Sequence, residues 1–319
     1  MPRPRIAVWM ISMATIISCA GVASAQIYPD KPIRIVAAGI GGGAEFLSRL
    51  IAPDAAVALG QPLIIDNRPP LVATEIASKA PSDGYTLFAG SSSFWVVPFL
   101  QKVSYDPVAD FSPVTLAVSS PNMLVVHPSV AANSVNELIA LAKAKPGVLN
   151  YATGPAGSPN HLAAELFKSM AGINMVRIAY KGGGPALTAL MGGEVQVLFA
   201  SVSTAIPQLK SGRLKALAIT SAKPSALAPD MPTIAAAGLP GYEMVSPDSF
   251  FAPAKTPAAI INRLNQELVR IINKADLKQA FFNVGTDTVG SSPAELAAFM
   301  KADMAKWGRL IKEAGIRAE

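Results

Sequence analysis

Hydrophobic runs and amphipathic stretches alternate along most of the chain. The short runs are rich in β-branched residues and bounded by glycine, proline or polar residues, which predicts buried strands. The longer stretches repeat apolar residues every three or four positions, which predicts helices between the strands. Strands are expected near Asn150 and over residues 33–38, 63–66, 85–89, 114–118, 123–126, 175–178, 195–200 and 214–220.

Helices are expected over residues 44–59, 72–79, 134–145, 160–171, 185–191, 203–210, 257–274 and 293–314. Ser134, with Glu137 three residues later, has the pattern of a capping box at a helix start. Strands that alternate with helices of this length indicate α/β domains with mainly parallel sheets. The length suggests two domains, and the proline-rich stretch 223–240 is the expected connector.

The composition argues against several classes of protein. Hydrophobic residues make up 51% of the 319 positions and charged residues 15%, which at first suggests a membrane protein. However, 54 of the residues are alanine, which favours membrane insertion only weakly. One cysteine and two histidines supply neither a disulfide scaffold nor a usual zinc site. We therefore expect no metal and no cofactor.

The first 25 residues have the features of a secretory signal peptide. Arg3 and Arg5 precede an apolar run over residues 6–22, and Ala23-Ser24-Ala25 supplies the small residues of a cleavage site. At 17 residues, the run is short for a membrane anchor. We expect cleavage after Ala25 and export to the periplasm, with a lipoprotein processed at Cys19 as the lower-ranked alternative. Cleavage removes two of the 27 basic residues, and the remaining 25 are dispersed, so no nucleic-acid partner is expected.

Four glycine- or serine-rich loops each follow a predicted strand and precede a predicted helix. The N-terminus of a helix carries free N–H groups and a partial positive charge, which stabilise a bound anion. In open α/β sheets, ligands bind at the carboxyl ends of the strands. The loops therefore predict an anion-binding cleft. They contain Gly41-Gly42-Gly43, Ser91-Ser92, Ser158 with His161 in the next helix, and Lys181-Gly182-Gly183, in which Lys181 is a candidate counter-ion.

Three other interpretations of these loops stay open. Residues 39–44 fit the dinucleotide fingerprint G-x-G-x-x-A, although a nicotinamide cofactor is not expected outside the cytoplasm. A close-packed turn that binds nothing also fits. A secreted hydrolase built on Ser92 and His161 is the third alternative, but no acid is identified for it and the sequence has no G-x-S-x-G elbow. We therefore do not expect an enzyme.

A set of short motifs runs in order along nearly the whole chain after the signal sequence. They are Tyr28-Pro-Asp-Lys-Pro-Ile33, Gly41-Gly-Gly43, Asn67-Arg-Pro69, Asp83-Gly-Tyr-Thr86, His161-Leu-Ala-Ala-Glu-Leu-Phe167, Tyr180-Lys-Gly-Gly183, Gly192-Gly193, Leu217-Ala-Ile-Thr220, Gly238-Leu-Pro-Gly241 and Phe251-Ala-Pro253. Each motif is weak alone, but their order and spacing are specific. Together they resemble the Bug-type substrate-binding proteins of tripartite tricarboxylate transporters.

The resemblance implies a type II periplasmic-binding-protein-like α/β fold, with two lobes of mainly parallel sheet and a cleft that closes on a carboxylate. By this likeness, one lobe holds residues 26–126 plus 252–319 and the other holds residues 127–251. The implied protein is a periplasmic monomer that hands a di- or tricarboxylate, or an aromatic acid, to a membrane transporter or a sensor. The candidate ligand-binding residues are Gly41, Gly42, Gly43, Ser91, Ser92, Ser158, His161, Lys181, Gly182, Gly183 and Ser201.

The chain departs from the family pattern in its loops. The family usually has prolines before the glycine triplet and Thr-Asp after it, whereas residues 37–40 contain no proline and Ala44-Glu45 follow. Pro70-Leu71-Val72 replaces a glycine-rich loop, and Ala200-Ser201 stands where an Asp commonly ends a strand. These changes remove N–H donors and add apolar surface, which predicts a carboxylate with an apolar or aromatic body. A sensory paralogue, or one that has lost its ligand, is the alternative.

Overall fold

The computed structural model describes residues 28–39, 42–154 and 156–317. Its strands are β1 (Ile33–Ala38), β2 (Leu63–Arg68), β3 (Thr86–Ser91), β4 (Phe111–Val126), β5 (Asn150–Thr153), β6 (Val176–Ala179), β7 (Val197–Ser201), β8 (Lys215–Ile219), β9 (Val245–Pro253) and β10 (Asp287–Thr288). The helices are α1 (Gly43–Leu59), α2 (Pro70–Ser78), α3 (Ser93–Val96), α4 (Val135–Ala144), α5 (Pro159–Ala171), α6 (Gly183–Met191), α7 (Val202–Lys210), α8 (Ala258–Ile272), α9 (Ala275–Asn283) and α10 (Pro293–Ala314). The signal peptide expected at residues 1–25, including the Cys19 alternative, lies outside the described residues.

The expected alternation of strands and helices is present, with two differences. The runs 114–118 and 123–126 belong to one long strand, β4, because the polar residues between them continue the strand rather than form a turn. The short elements α3, α9 and β10 and the strand β9 were not expected. Sequence patterning misses β9 because Pro247 and Asp248 interrupt its apolar run.

The strands form one mixed sheet in the order β2-β1-β3-β9-β4-β7-β5-β6, with β8 and β10 also paired to β4. β1 is parallel to β2 and β3, and β5 is parallel to β6 and β7. β4 and β9 run antiparallel to their neighbours. The expected parallel strands therefore form the two ends of the sheet, and antiparallel strands join them in the middle.

β4 divides the sheet because it changes partners along its length. Residues Phe111–Pro121 pair with β9, whereas residues Asn122–Val126 pair with β7 and β8. We call β1, β2, β3, β9 and the first part of β4 the β1 side, and β5 to β8 with the last part of β4 the β5 side. The lobe boundaries at 126/127 and 251/252 stay a prediction.

Helices cover both faces of the sheet and bury its apolar residues. On the β1 side, α1 and α8 bury residues such as Leu47 and Leu264 against β1 and β4. On the β5 side, α6 and α7 bury Leu190 and Val202 in a cluster with residues of β4 and β7. Full burial of a side chain of this size stabilises the fold by about 1.5–3 kcal/mol.

An aromatic cluster anchors α3 and α10 under the β1 side. Phe94 packs edge-to-face on Phe88, Phe111 and Phe251, with ring centroids 4.7–5.2 Å apart. The neighbouring Trp95 is fully buried, and its indole Nε1 donates a hydrogen bond to Asp303 on α10 at 2.8 Å. The short α3 is therefore fixed by packing rather than by its own helical hydrogen bonds.

Serine side chains cap the starts of α4 and α10, the first of them as the sequence predicts. The backbone N–H of Glu137 donates to Ser134 Oγ at 3.2 Å, which confirms Ser134 as the cap of α4. Ser292 and Glu295 form a complete capping box at the start of α10. Of the helices in the described ranges, none is both long enough and apolar enough to cross a bilayer.

Candidate functional site

A cavity of about 470 Å³ lies where the β1 side and the β5 side meet. This volume is within the usual range for a small-molecule site. Its wall combines hydroxyl, amide and backbone groups with an apolar patch from β7. The lining residues are Gly43, Ser91, Ser120, Asn122, Gly154, Ser158, Pro159, Asn160, Gly182, Gly183, Gly184, Leu198, Phe199, Ala200, Ser201, Thr204, Ser246 and Asp248.

The floor of the cavity is built from residues that face each other across antiparallel strands. Ser91 on β3 is opposite Asp248 on β9, and Ser120 on β4 is opposite Ser246 on β9. Asn122 on β4 is opposite Ser201 on β7. Side chains at directly opposite positions project from the same face of a sheet. These pairings bring polar groups together from positions that are far apart in sequence.

Four helices begin at the cavity wall. The first residue or the N-cap of α1, α5, α6 and α7 lines it, and none of these four N-caps has a side chain that accepts a hydrogen bond from a backbone N–H group of its helix. The caps are Gly42, Ser158, Gly182 and Ser201. Free N–H groups and helix dipoles therefore converge on one cavity, an arrangement that favours a bound anion.

Two side-chain amides add neutral donors to this set. Asn160 Oδ1 accepts from Gly154 N–H at 3.1 Å and from Ser158 Oγ at 2.7 Å, which leaves its NH₂ group as the part available to a ligand. Asn122 lines the cavity while its backbone is held by Thr220. Arg177 stabilises the same loop from behind, where its Nη2 donates to the Gly154 carbonyl at 3.2 Å.

Asp248 is the charged residue of the cavity wall, since no Lys, Arg or His is among the described residues that line it. Its side chain lies against Gly43 at the start of α1. Burial raises the pKa of Asp248 to about 7, because a carboxylate in the cleft loses much of its hydration. Near neutral pH, Asp248 therefore exists in both its neutral and its ionised forms.

Six of the residues expected from the sequence line the cavity: Gly43, Ser91, Ser158, Gly182, Gly183 and Ser201. Gly41 lies outside the described residues. Gly42 is the N-cap of α1, directly before the lining residue Gly43. Contact of these residues with a ligand stays a prediction.

The other three expected residues do not line the cavity. Lys181 is exposed, and the lining resumes only at the next residue, Gly182. Ser92 is buried as the N-cap of α3, directly after the lining residue Ser91 in sequence. His161 is buried on α5, where its Nδ1 accepts from Gly157 N–H at 3.1 Å and its Nε2 lies 3.9 Å from Glu165. We assign His161 a structural role in fixing the loop before α5.

Sequence patterning missed the lining residues that come from β4, β9 and the first turns of α5 and α7. These are Ser120, Asn122, Asn160, Thr204, Ser246 and Asp248. Asn160 has a signal in the sequence, because it lies in the first turn of a helix that follows a predicted ligand loop, but this signal does not distinguish it from His161. Asp248 has no such signal, because the strand that carries it was not predicted.

Residues 47–316 match the family described as Tripartite tricarboxylate transporter family receptor. The chain belongs to this family. Protein BugT of Bordetella pertussis is 32% identical over 311 residues, which cover 94% of this chain and 95% of BugT. The match confirms the resemblance inferred from the short motifs.

Two solved structures of related proteins have a similar fold and contain a bound ligand. An R. palustris protein solved with adipate is 34% identical, with a TM-score of 0.74 over 91% of this chain and 99% of its own. MatC from Rhodopseudomonas palustris, solved with bound malate, is 26% identical, with a TM-score of 0.71 over 89% of this chain and all of its own. The α/β fold of a two-lobed periplasmic binding protein is thereby confirmed. This family consists of solute-binding proteins rather than enzymes.

Proposed function

We propose that this chain is a periplasmic solute-binding protein that captures a small carboxylate in the cavity between its two sides. Closure of two lobes would enclose the ligand, and the closed complex would deliver it to a tripartite tricarboxylate-type membrane transporter or to a sensor. The signal peptide expected at residues 1–25 supports export to the periplasm. The adipate and malate bound by the two relatives support a carboxylate as the ligand class.

The observation that carries this proposal is the convergence of four helix N-termini on one cavity. A carboxylate placed there accepts hydrogen bonds from backbone N–H groups and from the amides of Asn122 and Asn160. Neutral donors of this kind can hold an anion without a salt bridge, because the helix dipoles supply the positive potential. Residues 198–200 of β7 line the cavity, and the hydrocarbon part of the ligand would lie against them.

The sheet topology supports lobe closure as the capture mechanism. The cavity takes Gly43, Ser91 and Asp248 from the β1 side and residues 154–160, 182–184 and 198–204 from the β5 side. One buried apolar cluster lies within the β1 side and another within the β5 side, while the largest cluster contains residues of both. Two sides with partly separate cores, joined by long strands such as β4, are suited to a hinge motion in which a few residues absorb the change.

The hydrolase alternative has little support. A nucleophilic serine requires a hydrogen-bonded base. Within the described part of the chain, the Ser92 hydroxyl has no hydrogen-bond partner, and Ser92 does not line the cavity. Turnover of an ester that Ser92→Ala abolishes would restore this alternative.

A thermal-shift panel of mono-, di- and tricarboxylic acids and aromatic acids tests the proposal. A ligand at 100 times its Kd that binds only the folded protein raises stability by about 2.7 kcal/mol. We expect at least one carboxylate to give a shift of several degrees. If no acid raises the melting temperature but a compound without an acid group does, the carboxylate assignment is wrong. Native mass spectrometry of freshly isolated protein distinguishes a binding protein, which carries a small acid, from a paralogue that has lost its ligand.

A further inference from the structure

Asp248 is unusual because a carboxylate lies in a cavity otherwise suited to anions. Asp248 lines the cavity, and the described residues offer its carboxyl oxygens no hydrogen-bond or ion-pair partner. The hydroxyl of Ser246, which also lines the cavity, is buried and likewise lacks a partner among the described residues. Polar groups that are buried without partners destabilise a fold, and native proteins contain few of them.

We propose that Asp248 accepts a hydrogen bond from an N–H or O–H donor on the ligand, so that the ligand is an amino or hydroxy acid rather than an unsubstituted diacid. This inference rests on the proposed function, since it names the class of carboxylate that the same cavity binds.

The placement of Asp248 relative to the helix starts supports this assignment. Gly43 is the first residue of α1 and touches the Asp248 side chain, and Ser91 faces Asp248 across the β3–β9 pair. The helix starts at Ser158, Gly182 and Ser201 belong to the β5 side. The cavity therefore has an anion-binding wall on the β5 side and a carboxylate on the β1 side.

A ligand that bridges these two walls needs a carboxylate for one wall and a hydrogen-bond donor for the other. Its carboxylate would bind the helix starts, while an ammonium or hydroxyl next to Asp248 would replace the hydration that the cleft removes. An unsubstituted dicarboxylate would instead place a second negative charge near Asp248, which is unfavourable at short range in a partly dehydrated site. Asp248 thereby selects for a donor and against a bare acid.

Isothermal titration calorimetry at pH 8 tests the proposal with two matched series of acids. The four-carbon series is succinate, malate and aspartate, and the six-carbon series is adipate, 2-hydroxyadipate and 2-aminoadipate. Members of each series share one carbon skeleton and differ only in a hydrogen, a hydroxyl or an ammonium at one position. The proteins are the wild type, Asp248→Ala and Asp248→Asn, with far-UV circular dichroism to confirm that each is folded.

We expect the wild type to bind a hydroxy or amino acid at least tenfold more tightly than the unsubstituted diacid of the same series. Asp248→Ala should reduce this preference to less than threefold. Asp248→Asn should keep a preference for the hydroxy acid, because its amide oxygen still accepts, but lose any preference for the amino acid. Comparison of the hydroxy acid with the amino acid of each series thus shows whether the ligand group that donates to Asp248 is a hydroxyl or an ammonium.

Two other outcomes would contradict the account at different levels. If the wild type binds the unsubstituted diacid most tightly, or if the preference survives in Asp248→Ala, the role of Asp248 is wrong and the carboxylate function stands. If none of the acids in either series or in the wider panel binds, the proposed function itself is wrong, and the assignment of Asp248 is rejected with it.

Discussion

The carboxylate of Asp248 packs against the backbone of Gly43, the first residue of α1. A Cβ at position 43 would overlap Asp248 Oδ2 and lie 3.1 Å from Cγ. Glycine at position 43 leaves the space that the Asp248 carboxyl group occupies, and it is not needed for a left-handed backbone conformation. This contact joins β9, which the sequence did not predict, to Gly43, which it predicted as a site residue.

Gly43→Ala should displace the Asp248 carboxylate and change ligand preference more than stability. A short terminal carboxyl group can rotate away from the new methyl, so we expect the free energy of unfolding to change by about 1 kcal/mol or less. The preference for a hydroxy or amino acid over the matched diacid should fall at least threefold in calorimetric titrations.

Gly183→Ala is the matched control for this preference: Gly183 is also the first residue of a cavity helix, and a Cβ there meets no atom of the protein within 4 Å, Asp248 included, so any change in affinity should be the same for all members of a series. Gly43→Ala should also have no further effect in an Asp248→Ala background, since the two changes act on one contact. Equal effects of Gly43→Ala and Gly183→Ala would contradict this account.

Asp248→Asn should stabilise the ligand-free protein at alkaline pH but not at acid pH. The pKa of the carboxyl rises from its ordinary 3.8 to about 7 in the folded chain. Between these values, the native state keeps a proton that the unfolded state has lost, so stability falls as the pH rises. Water in the cavity screens part of this cost, and we expect a gain of the order of 1–3 kcal/mol.

Urea unfolding at pH 3 and pH 8 measures this difference, since pH 3 lies below both pKa values and pH 8 above both. The stability of Asp248→Asn relative to the wild type should be near zero at pH 3 and clearly positive at pH 8. Asp230→Asn, at an exposed position, is the control. The same relative stability of Asp248→Asn at both pH values would show that the folded protein does not retain a proton on Asp248.

Asp303→Ala should destabilise the fold without affecting the cavity. Trp95 is fully buried and donates its indole N–H to Asp303, so the substitution leaves a buried donor without an acceptor. Such a loss costs about 1–3 kcal/mol. Asp303→Asn keeps an acceptor and should recover most of the stability in urea unfolding. Neither residue lines the cavity, so a change in ligand affinity beyond about twofold would contradict the separation of the two regions.

Asn122→Ala should weaken carboxylate binding more than Lys181→Ala. Asn122 places a neutral amide on the cavity wall, whereas Lys181 is exposed and outside the lining. Loss of the amide should raise the Kd about tenfold, the effect of a lost hydrogen bond of about 1.4 kcal/mol. Because water and salt screen the charge of an exposed lysine, Lys181→Ala should raise the Kd less than threefold at 0.15 M salt. A larger effect for Lys181→Ala would restore it as the counter-ion of the ligand.

The sequence predicts the strands and helices well where local patterns determine them. Strand β1 and helix α10 have the expected bounds, because each combines a regular apolar pattern with clear ends. The glycine-rich loops before α1, α5 and α6 were also predicted, since a glycine-rich turn before a helix is a local signal. They supply three of the four helix starts at the cavity.

The remaining part of the site depends on pairing between distant strands. Ser91 and Asp248 are 157 positions apart and become neighbours only through the β3–β9 register. His161 and Asn160 are adjacent in sequence, but a helix turns about 100° per residue. The sequence alone does not determine which of the two faces the cavity, and the structure places Asn160 there.

The central claim, that the helix starts bind a carboxylate in this cavity, is tested most directly by titrating two matched aspartate variants with both series of acids. Gly183→Asp adds a negative charge at the first residue of α6, on the cavity wall, and Ala275→Asp adds one at the first residue of α9, which does not line the cavity. We predict that Gly183→Asp raises the Kd of the tightest acid at least tenfold and that Ala275→Asp changes it less than twofold. Equal binding by both variants, or no binding of any acid by the wild type, would contradict the claim.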